Sequence, residues 1–221
     1  MSSDWSGSSE LGPLWLRSAA SVAAAPEGRR AAFLDRDGTL NEAVPDPESG
    51  LPESPLRVAD VRLLPGAAAA LKALAAAGYV LVCVSNQPAA AKGKVSIEQL
   101  LAIHERLLAL LSQEGVELRA SLLCVHHPQG TLAGFAGDCA CRKPLPGMLI
   151  EAAGALGIEL ADSWMLGDTD ADVGAGRAAG CSTALIEYPQ SAHKRLGEAH
   201  PDVLAADIGV AVAQLLDRSS P

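Results

Sequence analysis

Two aspartates stand two residues apart at the end of an apolar segment, in the sequence Ala-Ala-Phe-Leu-Asp-Arg-Asp-Gly-Thr-Leu over residues 31–40. The apolar half predicts a short buried strand, and residues two apart on an extended chain point to the same side. Asp35 and Asp37 can therefore face one site at the carboxyl end of a strand, where open α/β sheets bind ligands. Paired carboxylates can bind Mg²⁺, attack phosphorus as a nucleophile and transfer a proton. Two solvated aspartates in a turn are the alternative, which the flanking residues disfavour.

A hydroxyl and an amide follow the second predicted strand, which covers 79–84. A hydroxyl at the end of a neighbouring parallel strand, with free backbone N–H groups after it, is suited to bind phosphate oxygens. We therefore predict Ser85 and Asn86 as phosphate-binding residues. Taken alone, the same residues would indicate only a Ser-Asn turn.

Four potential ligands of a soft metal occur as two close pairs, a Cys-x-His and a Cys-x-Cys. The thiols of Cys124, Cys139 and Cys141 with the imidazole of His126 or His127 would complete a tetrahedral Zn²⁺ site. Since protein would supply all four ligands, no position stays open for water, and the zinc is predicted to be structural. The alternative is a set of scattered core cysteines beside a surface histidine pair.

Two basic residues, Arg142 and Lys143, follow these cysteines directly. A guanidinium group binds phosphate or sugar oxygens in a fork, so Arg142 is predicted to hold the substrate. Their place between Cys141 and Pro144 disfavours a solvated surface. A zinc-bound loop would then serve to aim both side chains at the site.

Four motifs in this order resemble those of the haloacid dehalogenase superfamily in its phosphatase form. Motif I is residues 35–40, Ser85 lies in motif II, Lys143 in motif III, and Asp168 ends motif IV after an apolar strand. The resemblance implies that Asp35 is the nucleophile and forms an aspartyl-phosphate. It also implies that Asp37 is the general acid/base and that Lys143 cancels charge between nucleophile and phosphate.

The resemblance further implies a catalytic Mg²⁺. Its ligands would be Asp35, Asp168 and the backbone carbonyl of Asp37. Asp172, one helical turn further on, would support the site through hydrogen bonds. Asp170 is predicted to be the N-cap of the helix that follows.

The metal-ligand segments at 124–130 and 138–148 resemble the zinc loop of the histidinol-phosphatase and heptose-bisphosphatase branch of this superfamily. In that branch the Cys-x-His histidine is the ligand, which implies His126, although the sequence does not exclude His127. The chain departs from the branch in three places. Val125 replaces a proline, the loop at 88–94 keeps only the final basic-Gly pair of a Ser-Gly-Ile-Ala-Arg-Gly-like pattern, and Thr169 stands where many heptose phosphatases have a lysine.

Composition restricts the remaining possibilities. The chain has 221 residues, a formal charge of -9 and five cysteines. The acidic balance disfavours nucleic acid and anionic membranes as partners, and no apolar run is long enough to cross a bilayer. An odd number of cysteines, partly in a Cys-x-Cys pair, suits a reducing cytoplasm and a metal better than disulfides.

The predicted organisation is a flexible extension over 1–30, one phosphatase domain over 31–217 and a short tail over 218–221. The proline-dense segment 42–61 is predicted to be a loop beside the site, either shaping the pocket or only connecting elements. A helix over 96–113 is expected, with Ser96 as N-cap, Gln99 completing a capping box and His104 on the surface or lining a groove.

The predicted fold is a doubly wound, mostly parallel α/β sheet without a large cap domain. The protein is expected to be a monomer. We expect a Mg²⁺-dependent phosphomonoesterase with a structural Zn²⁺, acting on the 7-phosphate of D-glycero-D-manno-heptose 1,7-bisphosphate. Histidinol phosphate or another small metabolite is the alternative substrate. A non-catalytic, zinc-stabilised binding module is the alternative of another class, but it leaves the order of the strand-end residues unexplained.

Overall fold

The computed structural model of the protein describes residues 5–6, 14–17 and 28–218. These residues form ten strands and five α-helices, and from residue 67 to 186 helices and strands alternate. The strands are β1 (Trp5–Ser6), β2 (Leu14–Arg17), β3 (Ala31–Leu34), β4 (Val44–Pro45), β5 (Pro52–Glu53), β6 (Val80–Asn86), β7 (Ala120–Cys124), β8 (Trp164–Gly167), β9 (Ser182–Ile186) and β10 (Val203–Ala205). The helices are α1 (Ala67–Ala76), α2 (Ile97–Gln113), α3 (Gly147–Leu156), α4 (Asp170–Ala179) and α5 (Ile208–Arg218).

Eight of the described strands form one sheet in the order β1-β2-β7-β6-β3-β8-β9-β10. The six from β7 to β10 in that order are parallel, which confirms the predicted mostly parallel, doubly wound architecture. After β3 the chain builds outward through β6 and β7, then returns to the other side of β3 with β8. The connections therefore reverse beside β3, and at such a point the carboxyl ends of the strands leave a crevice for a ligand.

The central strand β3 is buried on both faces, as its uninterrupted apolar sequence predicts. Ala32 and Leu34 point into one core, which contains the buried residues of α1, α2 and α5. Ala31 and Phe33 point to the opposite face, where α3 packs. Because successive strand residues alternate between faces, four residues join both cores and hold Asp35, the next residue, in a fixed position.

The amino-terminal segment differs from the expectation where the structure describes it. No strand was predicted before residue 31, yet β2 pairs antiparallel with β7 and β1 pairs with β2. Without β2, the edge of β7 would have unpaired backbone groups, and such an edge can pair with an extended segment that has no strong strand pattern of its own. Of the rest of the predicted extension, only residues 28–30 are among those described.

Two details of α2 differ from the sequence-based prediction. Ser96 is the N-cap and accepts a hydrogen bond from the Gln99 backbone, but the Gln99 side chain donates to the Leu56 carbonyl and closes no capping box. The prediction for His104 was wrong, because its side chain is fully buried. Burial, with the Arg36 charge, lowers the pKa of His104 to about 3, so it is neutral at physiological pH.

The proline-dense segment forms the small hairpin β4–β5 and one 3₁₀ turn over Val58–Asp60. Asp46 in the hairpin is nearly buried, and its Oδ2 lies 2.7 Å from Lys94 Nζ in the loop after β6. The hydrogen bond from Lys94 lowers the pKa of Asp46 well below its usual range. This hairpin covers the carboxyl end of the sheet, and the residues described contain no larger cap.

Among the described helices, none combines the length and apolar character needed to cross a membrane.

Candidate active site

The carboxyl ends of β3, β6 and β8 bring the predicted catalytic residues together. Asp35 directly follows β3, Ser85 lies near the end of β6, and Asp168 directly follows β8. Gly38 is required for this approach, because a Cβ on it would lie 2.1 Å from Asp168 Oδ2. Its φ of +87° is also one that residues with side chains rarely adopt. The glycine after the aspartate pair therefore lets motif I turn directly against Asp168.

Lys143 lies in the middle of the carboxylates. Its Nζ is 2.8 Å from Asp35 Oδ1 and 2.6 Å from Asp172 Oδ1, and it donates to the Val84 carbonyl at 2.7 Å. Burial would lower the pKa of Lys143, but the charges of Asp172 and Asp35 raise it above its ordinary value. Lys143 is therefore a fixed positive charge beside the carboxylate that is predicted to attack phosphorus.

Asp172, predicted to support the site through hydrogen bonds, lies between this lysine and Thr169. Its Oδ2 accepts hydrogen bonds from the backbone N–H and the hydroxyl of Thr169, at 3.0 and 2.6 Å. Thr169, rather than Asp170, is the N-cap of α4, and it forms a capping box with Asp172. Asp170 instead accepts a hydrogen bond from the Leu196 backbone. The N-cap prediction was wrong by one residue because the Thr169 hydroxyl already reaches the carboxylate three residues on.

The carboxylates of Asp35, Asp168 and Asp172 converge so that one oxygen from each lies within 4.8 Å of the others. Burial, then the charges of Asp35 and Asp172, raise the pKa of Asp168 well above its ordinary value. Its Oδ1 is buried without a hydrogen-bond partner. A buried, unpartnered carboxylate oxygen among like charges fits a divalent cation with oxygen ligands. Asp35 and Asp168 are the residues that would hold Mg²⁺, since Asp172 is committed to Lys143 and Thr169.

Asp37 lies in a group of donors that the sequence analysis did not identify. Arg36 donates to it through Nε and Nη2, and Asn41, Ser54 and Gln87 donate at 2.9, 2.8 and 2.6 Å. Burial raises the pKa of Asp37, but the Arg36 charge and these hydrogen bonds outweigh it and hold the pKa below its usual range. These contacts favour the ionised form of Asp37, which can accept a proton from water, so Asp37 must first take up a proton before it can act as a general acid.

The predicted phosphate-binding residues lie around this centre. The buried Ser85 hydroxyl is 3.0 Å from Gln87 Nε2 and lines the cavity. The Asn86 amide exchanges two hydrogen bonds with the backbone of Lys143, at 2.9 and 3.0 Å. Its side chain thus holds the lysine in place, and its own contact with phosphate stays a prediction.

A cavity of about 510 Å³ opens in front of Asp35. Its size suits a small phosphorylated metabolite. The β4–β5 hairpin supplies part of the wall, so of the two alternatives for the proline-dense segment, the structure favours the one in which it shapes the pocket. Five basic side chains line this cavity, together with six carboxylates: Lys92, Lys94, Arg142, Lys143 and Lys194 beside Asp35, Asp37, Asp46, Glu53, Asp168 and Asp172.

The predicted zinc ligands converge beside the cavity. Cys124, His126, Cys139 and Cys141 each place one ligand atom within 4.8 Å of the other three, whereas the ring of His127 accepts from the Gln129 backbone. Four of the six distances between these atoms, two sulfur–sulfur and two sulfur–Nδ1, run from 3.4 to 3.8 Å. Ligands about 2.0–2.3 Å from a tetrahedral zinc are separated by distances of this size. The donor set and its spacing therefore fit Zn²⁺, with His126 as the imidazole ligand.

The three thiols would repel one another once ionised. A hydrogen bond with Cys141 lowers the pKa of Cys124 to about 5, and the same contact raises the pKa of Cys141 far above its ordinary value. Burial and the nearby Cys124 thiolate raise the pKa of Cys139. A divalent cation relieves this repulsion, because it binds all three as thiolates.

The metal cluster connects directly to the substrate cavity. Arg142 Nη1 donates to the carbonyl of His126 at 3.2 Å, and Arg142 follows Cys141 in the chain. The position of the guanidinium group therefore depends on two of the four cluster residues. This contact is the structural basis for the hypothesis that zinc aims the basic residues.

Comparison with known proteins agrees with this geometry. Residues 140–211 match the HAD-hydrolase-like family. The D-glycero-β-D-manno-heptose-1,7-bisphosphate 7-phosphatase of Yersinia pestis is 37% identical over 78% of this chain and 87% of its own length. The enzyme of the same name from Rhodopseudomonas palustris is 38% identical over 72% of this chain and 83% of its own length.

A solved structure is similar over most of the chain as well. The D,D-heptose 1,7-bisphosphate phosphatase of B. bronchiseptica, determined in complex with magnesium and phosphate, aligns with a TM-score of 0.71 and 29% identity. The alignment covers 86% of this chain and 99% of that one. The chain is a phosphatase, and it belongs to the haloacid dehalogenase superfamily, in the family of the heptose-1,7-bisphosphate 7-phosphatases.

Proposed function

We propose that this phosphatase hydrolyses the 7-phosphate of D-glycero-D-manno-heptose 1,7-bisphosphate. The observation that carries the proposal is a metabolite-sized cavity lined by five basic side chains, with the Asp35–Lys143 pair on its wall. A sugar with two phosphates can place its second phosphate against basic side chains of this lining that lie away from Asp35, which a monophosphate cannot do. The named relatives, which match this chain over most of their length, support the same substrate.

In the first step Asp35 attacks phosphorus and forms an aspartyl-phosphate, while the sugar alkoxide leaves and takes a proton from Asp37. Lys143 and Ser85 stabilise the negative charge on the transferred phosphoryl group. In the second step Asp37 takes a proton from water, which cleaves the aspartyl-phosphate and regenerates Asp35. Mg²⁺ bound by Asp35 and Asp168 would neutralise charge on the phosphoryl oxygens.

A substrate screen tests the proposal. Phosphate release should be fastest from heptose 1,7-bisphosphate, assayed as both anomers beside histidinol phosphate and p-nitrophenyl phosphate with Mg²⁺ present. The product should keep its 1-phosphate, as seen by ³¹P nuclear magnetic resonance. A higher kcat/KM for histidinol phosphate, or loss of the 1-phosphate, would show that the substrate assignment is wrong.

Mg²⁺ is expected to stabilise the fold as well as to support activity. At a concentration about 100-fold above its dissociation constant it should contribute about 2.7 kcal/mol, or a rise in melting temperature of roughly 5–10 °C. The Asp168→Asn variant should lose both the rise and the activity, because Asp168 offers the unpartnered oxygen. Asp162→Asn, an exposed control, should keep both. Full activity of the wild type in EDTA would contradict the magnesium assignment.

We expect zinc to support the loop and to take no part in the chemistry. Cys139→Ser should bind no zinc and melt at a lower temperature, because metal binding is coupled to folding of the loop. Its activity should fall through a misplaced Arg142, and added Mg²⁺ should not restore it. Metal content by mass spectrometry, melting temperature and kinetics are measured together.

Cys181→Ser is the matched control, since Cys181 is buried outside the cluster. It should keep its zinc even if it melts at a lower temperature. Wild-type protein that contains no zinc, with full activity and the same melting temperature as Cys139→Ser, would show that the cluster is not a metal site.

We further propose that the enzyme acts as a monomer in the cytoplasm. All five cysteines are free, and a reducing compartment keeps the three cluster thiols available for zinc. Size-exclusion chromatography with light scattering tests the oligomeric state, and a mass of twice the chain's 22.6 kDa would contradict it.

A further inference from the structure

Lys194 lines the catalytic cavity, although no sequence motif pointed to it. It is the last residue of a short 3₁₀ helix, Pro189–Lys194, that follows β9. Its Nζ lies 2.7 Å from Glu53 Oε2 at the end of the β4–β5 hairpin, and 36% of the Lys194 side chain is exposed. The pair therefore joins two loops from distant parts of the chain at the mouth of the site.

The position of Lys194 is fixed by its neighbour Arg195. The Nη1 of Arg195 donates to the carbonyls of Asp168 and Tyr188, both at 3.0 Å, and to the hydroxyl of Ser191 at 2.9 Å. These bonds attach the segment to the aspartate predicted to bind Mg²⁺. Lys194 is thus held at the edge of the reaction centre, not on an unconstrained surface loop.

The contact with Glu53 places Lys194 on the Asp37 side of the cavity. Burial lowers the pKa of Lys194, but Glu53, with the charges of Asp37 and Asp168, raises it above its ordinary value. Ser54, the neighbour of Glu53, donates to Asp37 Oδ2. Since Asp37 gives its proton to the departing sugar oxygen, the leaving group lies against this wall.

We propose that Lys194 binds the phosphate group that is not hydrolysed, which leaves with the sugar. This inference rests on the proposed bisphosphate substrate. Lys194 exchanges Glu53 for the substrate, and a half-exposed ion pair is readily exchanged because it contributes little to stability. Lys94 is less available, since its Nζ contacts both Asp46 and Glu48 and the Asp46 side chain is only 3% exposed.

The test compares two substrates that differ only in the distal phosphate, heptose 1,7-bisphosphate and heptose 7-phosphate. Lys194→Met should raise KM for the bisphosphate about 10-fold, the loss expected for one hydrogen bond to a charged group, with kcat nearly unchanged. The constants for the 7-phosphate should change less than about twofold. Lys194→Arg should restore most of the affinity for the bisphosphate, and Glu53→Gln should lower its KM by removing the competing carboxylate.

Lys72→Met is the control for loss of one positive charge, because Lys72 is exposed on α1 and is not part of the cavity lining. If Lys194→Met raised KM equally for both substrates, or left KM for the bisphosphate unchanged, the proposed role of Lys194 would be wrong. If the wild type prefers a different bisphosphate, the substrate proposal fails, and the same comparison on that compound and its monophosphate decides the role of Lys194. A wild type that prefers monophosphates with uncharged leaving groups overturns both.

Discussion

Replacement of Asp35 by asparagine should reduce turnover by at least about 10⁴-fold, because the amide keeps the shape of the side chain but cannot attack phosphorus. The fold should persist. Burial, then the charges of Asp172 and Asp37, raise the pKa of Asp35 despite its contact with Lys143. Folding therefore opposes ionisation of Asp35, and loss of that charge should leave the melting temperature unchanged or raise it.

Asp217→Asn, on the exposed side of α5, is the control for loss of one carboxylate and should keep full activity. The measurements are steady-state phosphate release and thermal melting without added metal. Substantial activity in Asp35→Asn would rule out the covalent mechanism. A melting temperature well below that of the wild type would show instead that the variant fails because it does not fold properly.

The second large effect is expected at Lys143, where one substitution should damage both stability and chemistry. Lys143→Met leaves Asp35 and Asp172 buried without their cation, and breaking a buried ion pair in this way costs about 3–5 kcal/mol. Activity should fall at least about 10³-fold, because the developing phosphoryl charge loses its fixed positive partner. Urea unfolding and kinetics measure the two effects.

Lys143→Arg separates charge from geometry. It keeps a positive charge between the carboxylates and should recover part of the stability, but its planar group cannot reproduce the contacts of a small ammonium ion. Lys72→Met should show neither effect. A Lys143→Met variant as stable as the wild type would mean that the buried carboxylates do not depend on this lysine.

The fold was predictable because each central strand is a short, uninterrupted apolar run that ends in a polar motif. Residues 31–34 follow that pattern and form β3 as expected. Strand β2 was not predictable in the same way, because it is defined by the free edge of β7 and not by a pattern of its own. His104 was misplaced, although it occupies the buried face of α2 with Leu100, Ile103, Leu107 and Leu111, a helical spacing visible in the sequence.

Site residues could be predicted where a polar residue of suitable chemistry follows a predicted strand. Contacts that depend on the course of a turn were harder to predict. Asp35, Asp168 and Lys143 come together as the motifs predicted. The donors around Asp37 were missed because Arg36 and Gln87 meet it only through the tight turn after β3 and the turn after β6. Lys194 was missed because only the folded chain places the segment after β9 beside Asp168.

Trapping the aspartyl-phosphate tests the central claim most directly. The Asp37→Asn variant cannot deprotonate water, so it should accumulate the intermediate from p-nitrophenyl phosphate, whose leaving group departs without help from an acid. After acid quenching, mass spectrometry should find one added phosphoryl group on the peptide that contains Asp35. The Asp35→Asn/Asp37→Asn double variant should show none. A phosphoryl group on any other residue, or a wild-type rate of turnover in Asp37→Asn, would contradict the account.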